Sequence, residues 1–210
     1  MPDGGSTGIG ASVKRKEDYR FLVGEGNYTD DINRPNQTYT YMLRSSSAHA
    51  KFSIDTSKAS KAKGVVKIFV GTDMEVGSIP CGWQVDSKDG TPMREPAHPP
   101  IAKDKVRYVG EIIAVVIAES LEDAKNAAEL IDVNYDDIPV IIDMQDALDN
   151  SKGLVHDEIE SNVCYDWELG DSEAVDKAIS EAAHITTLDI RNNRLIPNAM
   201  ETRSAIGDYE

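Results

Sequence analysis

Glu201 and Arg203 are the residues of this sequence whose types and spacing most readily do chemistry. They follow the mostly apolar stretch Leu195 to Met200, and residues two apart on an extended chain share one face. A carboxylate beside a guanidinium could hold a polar substrate, or the two could simply pair with each other. The other reactive side chains form no such constellation. His49, His98 and His156 fall in expected loops and His184 ends an expected helix, with no H-x-x-x-H, H-E-x-x-H or Ser-His-Asp arrangement. They read as surface or helix-terminal histidines. Cys81 and Cys164 lack a second Cys or a His at metal-ligand spacing, which points to buried free thiols rather than a disulfide, zinc or iron–sulfur site. Asp30-Asp31, Asp136-Asp137 and Asp157-Glu158 lack the alternating order of a calcium loop and read as solvated turns or faces. Gly4, Gly5, Gly8 and Gly10 have no strand before them, so they make no phosphate-binding turn.

The elements that must position these groups follow from local signals. Phe21, Leu22 and Val23 lead into a turn at Gly24 and Gly26, then Tyr28. Thr38–Leu43 reads as a strand after the Arg34-Pro35-Asn36 turn. Asp55 or Thr56 can cap a short helix through Ala62, Gly64 suits its end, and Val65–Val70 resumes as strand. Pro80, Pro92, Pro96, Pro99 and Pro100, with Gly82 and Gly90, make residues 77–100 a long exposed loop. Strands are expected at Val106–Val109 and, beyond the Gly110-Glu111 break, at Ile112–Ala118. Ser120 then caps a helix, Leu121–Leu130, with Leu121, Ala124, Ala127 and Ala128 on one face, and Ile131–Tyr135 returns as strand. Asp143 caps a short helix through Leu148. Gly170-Asp171 caps a helix, Ser172–Ala183, expected to bury Ala174, Val175, Ala178, Ile179 and Ala182, before a strand at His184–Arg191. The implied organisation is mixed α+β: a flexible lead-in at 1–18, a domain at 19–148, a linker at 149–162, and a unit at 163–210. That last unit has too little core to stand by itself.

Composition narrows the class. Lys and Arg number 22 against 37 Asp and Glu, a net charge of −15, which disfavours nucleic acid and anionic membrane as partners. Hydrophobic residues make up 40% of the chain, enough for a packed core. The longest apolar run, Ile112–Ala118, is far shorter than the roughly 18 residues of a membrane-spanning helix. The first residues carry no apolar signal segment. The expectation is a cytoplasmic protein without membrane insertion.

Three segments, taken in order, resemble one family. Residues 9–32, IGASVKRKEDYRFLVGEGNYTDDI, carry an arginine-and-acid stretch followed by Gly-x-Gly-x-Tyr-x-Asp-Asp. Residues 106–143 run strand, Gly-Glu, strand, helix, strand, Tyr-x-x-x-Pro. Residues 192–210, NNRLIPNAMETRSAIGDYE, place Thr202 where the family pattern has proline. Together they are similar to the amino-terminal part of the large subunit of the molybdenum hydroxylases, the xanthine dehydrogenase, aldehyde oxidase and aerobic carbon monoxide dehydrogenase family. The resemblance implies an α/β hammerhead domain within 19–148, followed at 163–210 by the incomplete start of a molybdopterin-binding domain. It also implies oxidation of carbon monoxide, an aldehyde or an N-heterocycle with water as oxygen source. The complete complex would use a molybdopterin cytosine dinucleotide molybdenum cofactor, [2Fe-2S] clusters and FAD. Its other parts would be the remainder of the large subunit, an iron–sulfur subunit and an FAD subunit. This chain by itself would bind none of the cofactors and be inactive. Among its own residues the resemblance makes Glu201 substrate-facing and Arg203 its neighbour. The alternative is a non-catalytic structural or interaction module derived from that family.

Overall fold

The apolar, β-branched run Ile112–Ala118 forms a strand, β5. In the computed structural model, which describes Ile9, residues 15–193 and residues 195–209, β5 lies between β1 (Tyr39–Arg44) and β3 (Val65–Val70) in a three-stranded antiparallel sheet. A second three-stranded antiparallel sheet has the order β4 (Lys105–Val106), β2 (Ala50–Asp55), β6 (Asp132–Asp137). Both belong to one of two compact units, residues 38–186; the other comprises residues 1–37 together with 187–210.

Helix α2 (Leu121–Glu129) starts where Ser120 accepts a hydrogen bond from the Asp123 backbone N–H. It buries Ala124, Ala127 and Ala128 with Ala114, Val116 and Ala118 of β5 and Ile68 of β3. Alanine on both helix and strand brings the backbones close, so this core is filled by short side chains. Leu121, expected on the same face, is instead exposed. Ile113 points to the opposite side of β5 from Ala114 and joins a second cluster with Ala50, Ala102 and Val106. That double burial explains the unbroken apolar sequence of β5. Phe52 and Tyr135, paired across β2 and β6, place their rings 6.4 Å apart beside that cluster. The chain leaving β3 passes so near residue 102 that a Cβ on Gly71 would lie 2.3 Å from the Ala102 carbonyl oxygen.

The expected strand Val106–Val109 is reduced to Lys105–Val106. The Arg107 N–H donates to the Glu111 carboxylate at 2.5 Å, and the Glu111 N–H turns back to the Tyr108 carbonyl. β2 replaces the start of the helix expected from Asp55; only a 3₁₀ turn at Ala59–Lys61 remains. The Asp55 carboxylate caps the Ser57 N–H at its entry. The short helix after Asp143 forms as α3 (Met144–Leu148). α4 (Ser172–Ser180) is capped by Asp171, whose side chain accepts from the Ala174 N–H. None of its residues is buried, so the expected packing of Ala174, Val175, Ala178 and Ile179 is absent, as is that of Ala182 beyond its end. Residues 184–191 form no strand. Cys81 and Cys164 are free and exposed rather than buried, because both lie in irregular segments that no core covers. His49 is buried rather than superficial, its Nδ1 2.8 Å from the Pro139 carbonyl oxygen. Residues 77–100 are irregular apart from one bridge between Asp86 and Pro92. Gly4, Gly5, Gly8 and Gly10 and most of the lead-in at 1–18 lie outside the described residues. No helix among the described residues is long and apolar enough to cross a membrane.

Candidate functional site

In the smaller unit, residues 29–34 meet residues 201–208. Helix α1 (Asp18–Leu22) presents Phe21, whose ring stacks on Tyr28 at a centroid distance of 6.0 Å and 23° between planes. The Arg20 guanidinium sits 4.9 Å from the Phe21 ring centre. Gly26 lies under that stack: a Cβ there would approach Phe21 Cδ1 to 2.9 Å and Tyr28 Cε2 to 3.1 Å. A 3₁₀ turn, Thr29–Asp31, follows, closed by the Asp31 carboxylate accepting from the Tyr28 N–H at 2.9 Å. The turn points the Thr29 N–H at Glu201 Oε1, 3.4 Å away. A second tie joins the same segments, with Arg34 Nε 3.9 Å from Asp208 Oδ2.

Between them lies a pocket of about 280 Å³, lined by Tyr28, Asp30 and Asp31 from one segment and Met200, Glu201, Thr202 and Ser204 from the other. Its ionisable lining is acidic apart from the Tyr28 phenol. Asp31 already accepts a backbone hydrogen bond, whereas Asp30 and most of the Glu201 carboxylate stay available to a ligand. Carboxylates, a hydroxyl and a thioether in one concavity suit a small ligand that donates N–H or O–H hydrogen bonds or carries positive charge. Arg203 is exposed and outside this lining, so Glu201 and Arg203 do not share the pocket. Tyr28, Asp30 and Asp31 were not legible as partners of Glu201 from spacing. Their signal is the Gly-x-Gly-x-Tyr-x-Asp-Asp pattern, read above as a turn and as part of the family resemblance but not as a partner of Glu201.

A second polar cluster lies in the larger unit. Lys105 is buried on β4, with Nζ 3.0 and 3.1 Å from the two carboxylate oxygens of Asp157. That hydrogen bond, chiefly, holds the Asp157 carboxyl below its usual pKa. Burial, then the nearby Arg107 charge, pushes the His156 imidazole below its ordinary value. His156 Nδ1 is 3.4 Å from Glu158 Oε1 but not directed at it, and His49 Nε2 and Arg107 Nε are likewise buried without partners. The Lys105–Asp157 contact ties residues 156–158 to β4. Among the described residues no three or more His, Cys, Asp or Glu side chains are grouped to hold a metal.

The family described as aldehyde oxidase and xanthine dehydrogenase, a/b hammerhead domain, matches residues 23–139. The nicotine 6-hydroxylase large subunit of Paenarthrobacter nicotinovorans is 33% identical over 205 residues, covering 96% of this chain and 24% of that protein. The carbon monoxide dehydrogenase large chain of Afipia carboxidovorans is 29% identical over 216 residues, 97% of this chain and 26% of its own length. Among solved structures, the reconstituted CO dehydrogenase from Oligotropha carboxidovorans superposes with a TM-score of 0.66 at 30% identity, covering 84% of this chain and 23% of that one. The chain spans about a quarter of the length of these curated relatives. It is thus homologous to large subunits of molybdenum hydroxylases. The antiparallel sheets with α2 against β1 and β5 are the hammerhead expected from residues 106–143. The chain belongs to the aldehyde oxidase and xanthine dehydrogenase family, whose a/b hammerhead domain it carries.

Proposed function

We propose that this chain is the amino-terminal portion of the catalytic large subunit of a molybdenum-cofactor hydroxylase, acting on carbon monoxide, an aldehyde or an N-heterocycle. The observation that carries this reading is the match to hydroxylase and dehydrogenase large subunits over nearly the whole chain, beyond the hammerhead and through the Glu201 segment. In this reading residues 19–148 form the hammerhead, 149–162 the linker and 163–210 the start of the molybdopterin-binding domain.

In this reading, which rests on the family and not on this chain's donors, the molybdenum cofactor is held by the remainder of the large subunit, and [2Fe-2S] clusters and FAD by an iron–sulfur and an FAD subunit in the cytoplasm. The chain's own contribution is Glu201, which stands at the pocket with one oxygen steadied by the Thr29 N–H. It would accept a hydrogen bond from a substrate N–H or O–H and so orient it. Arg203 would act as its neighbour from outside the lining.

The test is to isolate the complex containing this chain from its native cells by size exclusion and measure molybdenum. Molybdenum co-eluting with the chain well above 23.0 kDa supports the reading. A molybdenum-free species of 23.0 kDa overturns it in favour of a non-catalytic module. In the active complex Glu201→Gln is expected to lower turnover or change substrate preference by about tenfold or more. Unchanged kinetics with every substrate the complex accepts would remove Glu201 from the pocket's chemistry.

A further inference from the structure

Residues 150–162 form a loop closed on itself. The Asn150 side-chain amide donates to the Glu160 carbonyl at 2.9 Å. Asn162 donates to the Gly153 carbonyl at 2.9 Å, and its side-chain oxygen accepts from the Val155 N–H at 2.9 Å. Among the described residues, the only hydrogen-bonded tie from this loop to either sheet is the contact of Asp157 with Lys105 of β4. A loop whose other hydrogen bonds are internal, with one ionic anchor outside, can lift as a unit.

His156 stands next to that anchor. Its side chain keeps 22% of its surface exposed, so protons reach the ring, yet Nδ1 is buried without a hydrogen-bond partner. From β4 and its continuation the ring feels the Lys105 ammonium and the Arg107 guanidinium, which disfavour a further positive charge; from its own loop the Glu158 carboxylate favours one. Asp157 is taken by Lys105, and Glu111 accepts from the Arg107 backbone N–H. His49, from the turn before β2, lies near Asp157, with Nδ1 on the Pro139 carbonyl oxygen and Nε2 buried without a partner. A neutral imidazole is compatible with this closed arrangement. An imidazolium would be a partly buried cation beside two others, with no aligned acceptor at Nδ1.

We propose that His156 is the trigger of an acid-sensitive latch: the neutral imidazole lets residues 150–162 close on β4, and protonation releases them into water. Burial, then the Arg107 charge, holds the closed-loop imidazole below its ordinary 6.5. Closure is therefore fully favoured above that value and weakens as pH falls through it. Asp157 and Glu158 titrate below their ordinary 3.8 and 4.5, so both carboxylates stay ionised across this range and the release belongs to neither.

Release uncovers the buried Lys105 amine, so the experiment is acetylation of the full-length chain by an N-hydroxysuccinimide ester, read residue by residue by mass spectrometry at about pH 7.5 and about pH 5.5. Lys51, the exposed register partner of Lys105 on β2, serves as the internal reference, so that the ratio of the two rates cancels the intrinsic pH dependence of amine acylation. In wild type the Lys105 to Lys51 ratio is expected to rise about threefold to tenfold at the lower pH, tenfold being the ceiling for a group that titrates at 6.5 once released. The circular dichroism should not change between the two conditions. His156→Gln should lose the pH response, and Asp157→Asn should raise the ratio at both pH values while keeping it. A wild-type ratio that is the same at both pH values overturns the proposal, whatever the variants do. So does a response that survives His156→Gln undiminished, which would place the titrating group elsewhere, and so does a rise accompanied by loss of the circular dichroism signal, which would be global unfolding.

Discussion

Asp157→Asn tests how residues 149–162 are held to the larger unit. Lys105 is 6% exposed at its side chain, while the Asp157 side chain that meets it is 73% exposed. A fully buried pair broken on one side costs about 3–5 kcal/mol, and a fully exposed pair contributes about 0–1 kcal/mol. With the cation buried and the carboxylate wet, the loss is expected at roughly 1–2 kcal/mol, a decrease of roughly 2–8 °C in Tm for a chain of this size. Arg107 adds to the positive field that favours the ionised Asp157, so asparagine leaves that field uncompensated at Lys105.

The pH dependence follows from the direction of the shift. The Asp157 carboxyl titrates in the folded protein below its ordinary value of 3.8. Its stabilisation is therefore complete above that value and is lost as pH falls through the lower, folded-state value. Urea unfolding of wild type and variant should show the full difference at pH 7 and at pH 5, and a difference that shrinks progressively as pH falls below 3.8. Lys105→Met in the Asp157→Asn background removes the unpaired buried charge and should recover most of the loss. Equal midpoints at pH 7, or a difference that does not shrink at all as pH is lowered below 3.8, would refute the electrostatic account.

Gly71→Ala should cost at least about 2 kcal/mol, because its Cβ would meet backbone rather than a yielding side chain; a thermal midpoint within 1 °C of wild type would contradict the close approach to Ala102. Hydrogen exchange should be much faster in residues 185–200, where Leu188, Ile190 and Ile196 are exposed, than in β5, whose Ile113, Ala114 and Val116 are buried. Equal protection in both segments of the 210-residue chain would show that those apolar side chains already have a cover.

What the sequence disclosed was set by how local each signal is. β5, Ser120 and the alanine face of α2 are written within two dozen residues: an apolar β-branched run, a hydroxyl at the first turn, and small side chains at helical spacing. β2 escaped notice because its inward positions are only Ala50, Phe52 and Ile54, and the cap signal at Asp55 masked that alternation. The capping of α4 was legible in Asp171, but its burial was not, since a periodic apolar face specifies that a helix can be covered and not what covers it. The same limit applies to His49, whose burial comes from Pro139, 90 residues away.

The acidic pocket makes the point most sharply. Glu201 could be singled out as a reactive residue, but its partner Thr29 lies 172 positions earlier. The assignment of Arg203 as a companion rested on an extended chain with alternating faces. Where the 200–204 segment meets the Thr29–Asp31 turn, consecutive residues Met200, Glu201 and Thr202 all reach the pocket and Arg203 does not. The chemistry of the site therefore depends on a turn whose aspartates looked like solvent-facing punctuation. Asp31 is spent closing that turn through the Tyr28 N–H, which frees Asp30 and fixes the Thr29 N–H toward Glu201. In the proposed reading, a ligand entering there would meet a carboxylate steadied by backbone, and selectivity for hydrogen-bond donors would follow from that arrangement rather than from a carboxylate–guanidinium pair.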